Sequence, residues 1–500
     1  MTPAVESVPP LPGHDADVQR DRAMAVGLAW TGAAKWIGQS IAWIATLVVA
    51  RLLTPEDYGL VALGTVYLGL ITLVTEFGLG SAVVMLRELD ARQTAQINSV
   101  AWLAGVAGFG LSLALASPIG AFFHSPLLVP VLVVMSIAFL ASGPRIVPQS
   151  MLQKEMRFRV LSLIDAAQVM IQNGTMVLFA VLGFRYWAIV LGGLAGQFAA
   201  TFLTLAVQRC PLAKPQLASI GKALSFSRDV AATRLAWFFY SRADFVVAGR
   251  VLGGGPTGYY SMAWSLASIP VDKLSALVHK VTPAFFSLVQ KEPLAIRRYF
   301  VILIQGLATL SFPFSIGTAL VAPDFIIAIL TEKWTGAIAP LQILSLYACL
   351  ASLNAVLTPL LAAVRQQRFT MWSNLAAAVI LPVGFLVGAR WGTTGIAFAW
   401  LLLHPPIVLA LLRHVVRHTS VTWRDVGSAL WPPVQASFFM TAAVLIARFM
   451  VLDGISSAPR LAALVVIGAV TFVAAFAIFS RAAFDRMRRA LALLRQPAAT

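Results

Sequence analysis

The chain has 500 residues, of which 59% are hydrophobic and 11% charged, with a formal net charge of +17. A soluble domain carries roughly a quarter charged residues, so this composition, with a mean hydropathy of +0.83, excludes an ordinary soluble protein and indicates many membrane crossings. The bases are scattered between apolar runs and build no continuous face for a nucleic acid, and two cysteines, Cys210 and Cys349, make neither a disulfide framework nor a metal site.

Residues 1–22 are rich in proline and charge and lack apolar periodicity, which reads as a disordered tail. The apolar helix that follows carries a lone Lys35, shows no small-residue cleavage pattern, and reads as an anchor rather than a signal peptide. It leads into the turn "VVARLLTPEDYG". Here Thr54 is the predicted N-cap, Pro55 takes the first helical position, and Glu56 and Asp57 lie against the positive end of the helix dipole.

Apolar stretches fall at about 24–50, 59–85, 98–117, 127–150, 160–182, 187–207, 230–252, 259–288, 299–322, 340–363, 370–389, 392–412, 430–451 and 460–480, which predicts about fourteen transmembrane helices. The eighth contains Pro270 and Pro283 and reads as kinked or partly interfacial. Lys and Arg collect in alternate loops, among them Lys154, Arg157 and Arg159, then Arg365 and Arg368, whereas the opposite loops hold about one base each. By the positive-inside rule both termini are expected in the cytoplasm.

An internal echo runs through the chain. "FVVAGRVLGGGPTGYY" places Val246, Val247, Arg250, Pro256 and Tyr259 where the first turn has Val48, Val49, Arg51, Pro55 and Tyr58. "QKEMRF" is matched by "VRQQRF", and "GFRYW" by "GARWG", all at offsets close to 200 residues. Six predicted helices precede the second copy, so both copies enter the membrane in the same sense, a parallel repeat. The expected organisation is a cytoplasmic tail (1–22), a six-helix lobe (23–208), a second six-helix lobe (209–425), two additional helices (426–480) and a basic amphipathic tail on the membrane surface (481–500).

Ionisable groups inside apolar helices are costly, about 2.5 to 3.5 kcal/mol on insertion scales, and so mark wet cavities or ion pairs. The cations are Lys35, Arg145, Arg234, Arg242, Lys273 and Lys280; the acids are Glu76, Asp165, Asp244 and Asp272. The cationic set is the candidate substrate site, since it suits a phosphate-bearing ligand. Structural alternatives stand beside it. Lys35 could pair with Glu76 or Asp244, Arg234 and Lys280 could snorkel, and Arg145 could be a cytoplasmic anchor. Asp165, Gln168 and Gln172 recur at helical spacing, a stripe suited to sugar hydroxyls, a coupling cation or interhelical hydrogen bonds. Glu76, Asp244 and Asp272 join that stripe as candidates for proton or sodium coupling or sugar contacts; no other cofactor is indicated, and no histidine has metal-ligand spacing. Several tryptophans, Trp264 among them, read as belt residues or as surfaces on which a sugar ring could stack.

The segment "VVARLLTPEDYGLVAL...EFGLGSAVV", the "QKEMRF" loop and "GGGPTGYYSMAWSLASIP" resemble the Wzx-type polysaccharide flippases, and within them the exporters of the colanic acid type. These belong to the multidrug/oligosaccharidyl-lipid/polysaccharide (MOP) superfamily, which also contains the lipid II flippase. The resemblance implies two six-helix lobes around a central cavity lined by helices 1, 2, 7 and 8. It also implies an undecaprenyl-pyrophosphate-linked oligosaccharide cargo moved to the periplasmic leaflet of a bacterial inner membrane by alternating access, without covalent chemistry, alongside a polysaccharide polymerase and a chain-length regulator. A drug or cation antiporter of the same superfamily is the alternative. A polyprenol-dependent polymerase or glycosyltransferase is disfavoured by the short outward loops.

Overall fold

The computed structural model describes residues 41–86, 88–288, 292–452 and 454–479. The N-terminal tail, Lys35 and the basic C-terminal segment lie outside that range, as do the side chains of Asp272, Lys273 and Lys280. Every described element is helical: α1 (Ile41–Leu52), α2 (Pro55–Glu76), α3 (Leu79–Met85), α4 (Ala91–Phe122), α5 (Leu128–Lys154), α6 (Phe158–Val181), α7 (Tyr186–Val207), α8 (Leu217–Val247), α9 (Gly254–Leu288), α10 (Pro293–Phe325), α11 (Ile338–Ser352), α12 (Asn354–Ala363), α13 (Gln367–Gly388), α14 (Gly392–His418), α15 (Trp423–Ile446) and α16 (Ser457–Phe479). Among the described residues ten helical runs are long and apolar enough to cross a membrane, and one of them, Gln367–His418, holds both α13 and α14. The protein is therefore a multi-pass membrane protein. Helix α9 continues without interruption past Pro270 and Pro283.

The helix boundaries follow from local chemistry. At the start of α2, Thr54 donates from its backbone N and its Oγ1 to Asp57 Oδ2 at 3.0 Å, and the Asp57 N–H donates to Thr54 Oγ1 at 3.3 Å. This reciprocal cap satisfies donors that the first helical turn leaves open. The helix stops at Glu76 because Phe77 and Gly78 both turn left-handed, with φ of 44° and 66°. The two related loops seen in the sequence have the same backbone. Met156 (φ 56°) and Arg365 (φ 61°) are both left-handed. The next residues, Arg157 and Gln366, donate to the Leu152 and Leu361 carbonyls at 2.9 and 2.8 Å.

The chain forms two compact units. One comprises the described residues up to Leu52, Ile71–Leu115 and Leu132–Ala232; the other comprises Leu53–Leu70, Ala116–Val131 and the chain from Thr233. In the first unit, α6 and α7 meet through Gly192 and Gly196, whose added Cβ atoms would stand 2.7 Å from Met176 Cβ and Gln172 Cβ. Small residues permit the backbone approach that drives helix association in lipid.

The second unit is built around α10. Phe300, Leu357, Leu361 and Val415 are fully buried beside it. At its N-terminal end Arg297 donates Nε and Nη2 to the two oxygens of Asp425, each at 2.7 Å. At its C-terminal end the fully buried Asp324 takes Arg460 Nε at 2.6 Å and Arg448 at 3.4 Å, and Arg448 also donates to the Leu320 carbonyl at 2.9 Å. Arg297 to Asp425 and Leu320 to Arg448 are both steps of 128 residues. Helices α10 and α15 therefore run parallel in one register, with charged contacts near both ends.

Asp425 also accepts from the backbone N and Oγ1 of Thr422, capping α15. Removing its side chain loses the bonds from Thr422, one half of the capping box, together with the bidentate pair, whereas removing Arg297 loses the pair alone. Thermal unfolding of the detergent-solubilised protein should therefore show Asp425→Ala less stable than Arg297→Ala by about 1 kcal/mol. Equal losses would mean that the cap contributes nothing.

Candidate functional site

The cationic set of the sequence divides between different settings. Arg145, on α5 in the first unit, is buried; its Nη1 donates to Gln168 Oε1 on α6 at 3.1 Å, and Nη2 stands 3.8 Å from Asp165. Glu76, at the end of α2, adds a second carboxylate within electrostatic reach of the same guanidinium. Arg145 is thus held by an acidic, amide-lined environment that ties α5 to α6. In the polar stripe of α6, Gln168 is this partner, Asp165 is exposed, and Gln172 lies against Gly196 of α7. The stripe joins helices, one of the alternatives its spacing left open.

The second setting lies on α8 and its neighbours. Asp244 is fully buried and accepts hydrogen bonds from Tyr260 Oη at 2.8 Å, Trp400 Nε1 at 3.0 Å and the Phe245 N–H at 2.9 Å. Three donors around one carboxylate offset the desolvation of its charge. Around them stands a group of rings. Trp400 lies 5.5 Å from Trp264, 4.9 Å from Tyr347 and 5.0 Å from Phe385, centroid to centroid. Arg242, two residues before Asp244, is half-buried with its guanidinium 5.7 Å from the Phe245 ring centre, a cation–π arrangement. Asp244 and Arg242 thus have different surroundings, as their spacing requires. Arg234 is exposed on the same helix.

A third feature was not singled out in the sequence. The first turns of α2 and α9 cross with no room for a side chain between them. A Cβ on Gly59 would run into the Gly254 carbonyl, and one on Gly258 into the Pro55 carbonyl. The paired tyrosines of the echo, Tyr58 and Tyr259, both set ring edges against Trp334, at 5.2 and 6.2 Å. The glycines stand inside the echoed "PEDYG" and "GPTGYY" segments, which was the available signal. Trp334 had none. Among the described residues no three His, Cys, Asp or Glu side chains come together as a metal site.

This all-helical fold is shared with two solved membrane transport proteins. It superimposes on a lipid II flippase, MurJ, in its inward closed conformation, with a TM-score of 0.75 over 91% of this chain and 99% of that one, at 14% identity. It also matches an inward-facing multidrug resistance MATE transporter of the MOP superfamily, with a TM-score of 0.59 over 79% of this chain and 95% of that one, at 13% identity. The profile of the polysaccharide biosynthesis protein family matches residues 48–339, and the chain belongs to that family. It is 24% identical to the lipopolysaccharide biosynthesis protein WzxC of Escherichia coli (strain K12), over 86% of this chain and 88% of that protein. It is 26% identical to the teichuronic acid biosynthesis protein TuaB of Bacillus subtilis (strain 168), over 75% and 78%. It is also 26% identical to the succinoglycan biosynthesis transport protein ExoT of Rhizobium meliloti (strain 1021), over 79% and 80%.

Two outcomes follow from these settings. Asp244→Ala strands the Tyr260 hydroxyl and the Trp400 indole N–H in an apolar interior and should lower stability by about 3 kcal/mol, while Asp244→Asn, which keeps an acceptor, should lower it by less. A melting series in detergent that ranks the two equally would remove Asp244 from its anchoring role. Gly59→Ala and Gly258→Ala should each cost about 1 to 3 kcal/mol by overpacking. Gly193→Ala, where a Cβ meets nothing within 4 Å, should cost none; thermal midpoints that rank all three alike would show that the crossing yields freely.

Proposed function

We propose that the chain is a flippase that moves undecaprenyl-pyrophosphate-linked oligosaccharide repeat units from the cytoplasmic to the periplasmic leaflet of a bacterial inner membrane, by alternating access and without covalent chemistry. Family membership over residues 48–339 carries the reading. The relatives are named for the synthesis or transport of lipopolysaccharide, teichuronic acid and succinoglycan. The fold is shared with a lipid II flippase. On this reading about fourteen helices form two six-helix lobes and an added pair, with both termini cytoplasmic. The parallel run of α10 and α15 fits it, because four crossings from one to the other return the chain to the same sense.

The chain's own residues would act on the cargo by charge. Lys35 and Arg242 are assigned to the pyrophosphate, whose negative charge must leave the headgroup region and needs cations along its path. Arg234, Lys273 and Lys280 extend that path. Arg145 is engaged by Gln168 and Asp165 and serves the fold first. Glu76, Asp165 and Asp272 are left as the coupling candidates, for a proton or sodium ion. A polymerase and a chain-length regulator would receive the delivered units.

A drug or cation antiporter is the second reading, favoured by the likeness to a MATE transporter. The deciding experiment follows the leaflet distribution of the lipid-linked oligosaccharide in cells depleted of the protein. The full repeat unit should accumulate in the cytoplasmic leaflet and be released by the intact protein. Lys35→Ala and Arg242→Ala, at matched abundance, should release it at least about tenfold more slowly, a barrier difference of about 1.4 kcal/mol. Normal delivery during depletion would discard the flippase reading and turn attention to drug efflux. Normal release by both variants would discard the cationic path.

A further inference from the structure

Beside the aromatic group in the second unit, α9 and α11 part around a crevice of about 130 Å³. Its walls are the rings of Trp264 and Tyr347, inclined at 32° with centroids 6.1 Å apart, and the small side chains of Ala267, Ser268, Ala348 and Ala351 leave the space between the helices. The walls do not readily collapse into it. Trp264 and Tyr347 both pack on Trp400, which Asp244 holds by its indole N–H, and the edge of His404 lies against Tyr347 with centroids 5.0 Å apart. A void kept open by fixed walls forfeits dispersion contacts on every side until something fills it.

The lining says what that filling is. It is mostly carbon, and its serine hydroxyl, Ser268, already turns to the Ser265 carbonyl at 3.4 Å. A sugar ring seated there would leave most of its hydroxyls without partners, at a cost of about 1 to 3 kcal/mol for each one cut off from water. A hydrocarbon loses nothing. Cavities of roughly 150 Å³ lined by apolar side chains take one six-carbon ring, so the crevice holds about one five- or six-carbon unit. Two inclined aromatic faces suit a flat group, such as a methyl-branched alkene, better than a straight chain of round cross-section.

We propose that the crevice between α9 and α11 is a subsite for one isoprene unit of a polyprenyl carrier. The inference rests on the flippase reading for the source of that chain. It separates recognition of the carrier from recognition of the glycan: this subsite would hold any cargo built on the same lipid.

The test uses the full chain in proteoliposomes with a diazirine-bearing polyprenyl phosphate that carries no sugar. Illumination should label 264–268 and 344–351. Excess unlabelled polyprenyl phosphate should suppress the labelling, and an equal amount of phosphatidylglycerol or of free oligosaccharide should leave it. Ala348→Phe, which fills the crevice, should reduce labelling about tenfold; Ala351→Leu fills it from the next turn and serves if the first variant does not insert. Labelling confined to other segments, equal suppression by the phospholipid or by the oligosaccharide, or full labelling of a folded filled variant each overturns the proposal. The leaflet assay on the unaltered protein separates the two readings. Transport without labelling of the crevice defeats this inference alone, labelling without transport leaves a polyprenyl site and defeats the flippase, and the absence of both defeats both.

Discussion

A charge placed inside an apolar helix must find a partner, and much of the second unit is organised by how that demand is met. Asp324 is fully buried and takes two arginines, one from the stretch after α15 and one from α16. Asp244 is equally buried and takes neutral donors instead, a phenol, an indole and a backbone amide. The two solutions have different consequences. The arginines fix separate helices to α10, because each charged contact is strong, directional and costly to leave half made. The neutral donors fix rings, and through them a set of aromatic faces that have no polar business of their own.

The same demand sorts the cations. Arg145 spends its guanidinium on Gln168 and Asp165 within its own unit. Arg242 sets its guanidinium over the face of Phe245, within electrostatic reach of Asp244. Composition alone cannot make that distinction, since both are arginines in apolar runs. On the proposed function, the pyrophosphate meets a cation held on a ring face rather than one held by an amide and a carboxylate.

The sequence made the class and the helix starts legible because both depend on local chemistry. Hydropathy marked the apolar stretches, and the Thr54, Pro55 and Asp57 pattern marked a cap that forms as read. The "QKEMRF" and "VRQQRF" loops each hold one left-handed residue, Met156 and Arg365, two places out of the register in which the letters match. Less was legible where partners are remote. Trp400 stands 156 residues from Asp244, and nothing near either residue announces the bond. The stripe of Asp165, Gln168 and Gln172 was visible as a stripe, but whether a polar face meets a ligand or another helix depends on α5 and α7, which the spacing does not describe. The glycines of the α2 and α9 crossing look like many others in a membrane helix; only the reciprocal approach of two backbones distinguishes them.

That crossing bears on the proposed repeat. The paired prolines Pro55 and Pro256 stand 201 residues apart, and the paired left-handed turns at Met156 and Arg365 stand 209 apart. The second copy is therefore longer by eight residues between the two landmarks, and their place can be found. From Ala91 to Leu128, the starts of α4 and α5, is 37 residues; from Pro293 to Ile338, the starts of α10 and α11, is 45. Most of the extra length lies in the helical run itself, 38 residues from Pro293 to Leu330 against 32 from Ala91 to Phe122; the link that follows holds the short turn Glu332–Ala337 and Trp334, against which both Tyr58 and Tyr259 pack. On the proposed repeat, the two copies meet through glycine at the crossing, and one copy alone carries the ring that both tyrosines share. The two links are therefore not interchangeable: a change at Trp334 alters both tyrosine contacts at once, whereas the link after α4 sets His124 against Arg250 and Phe123 against Gly249.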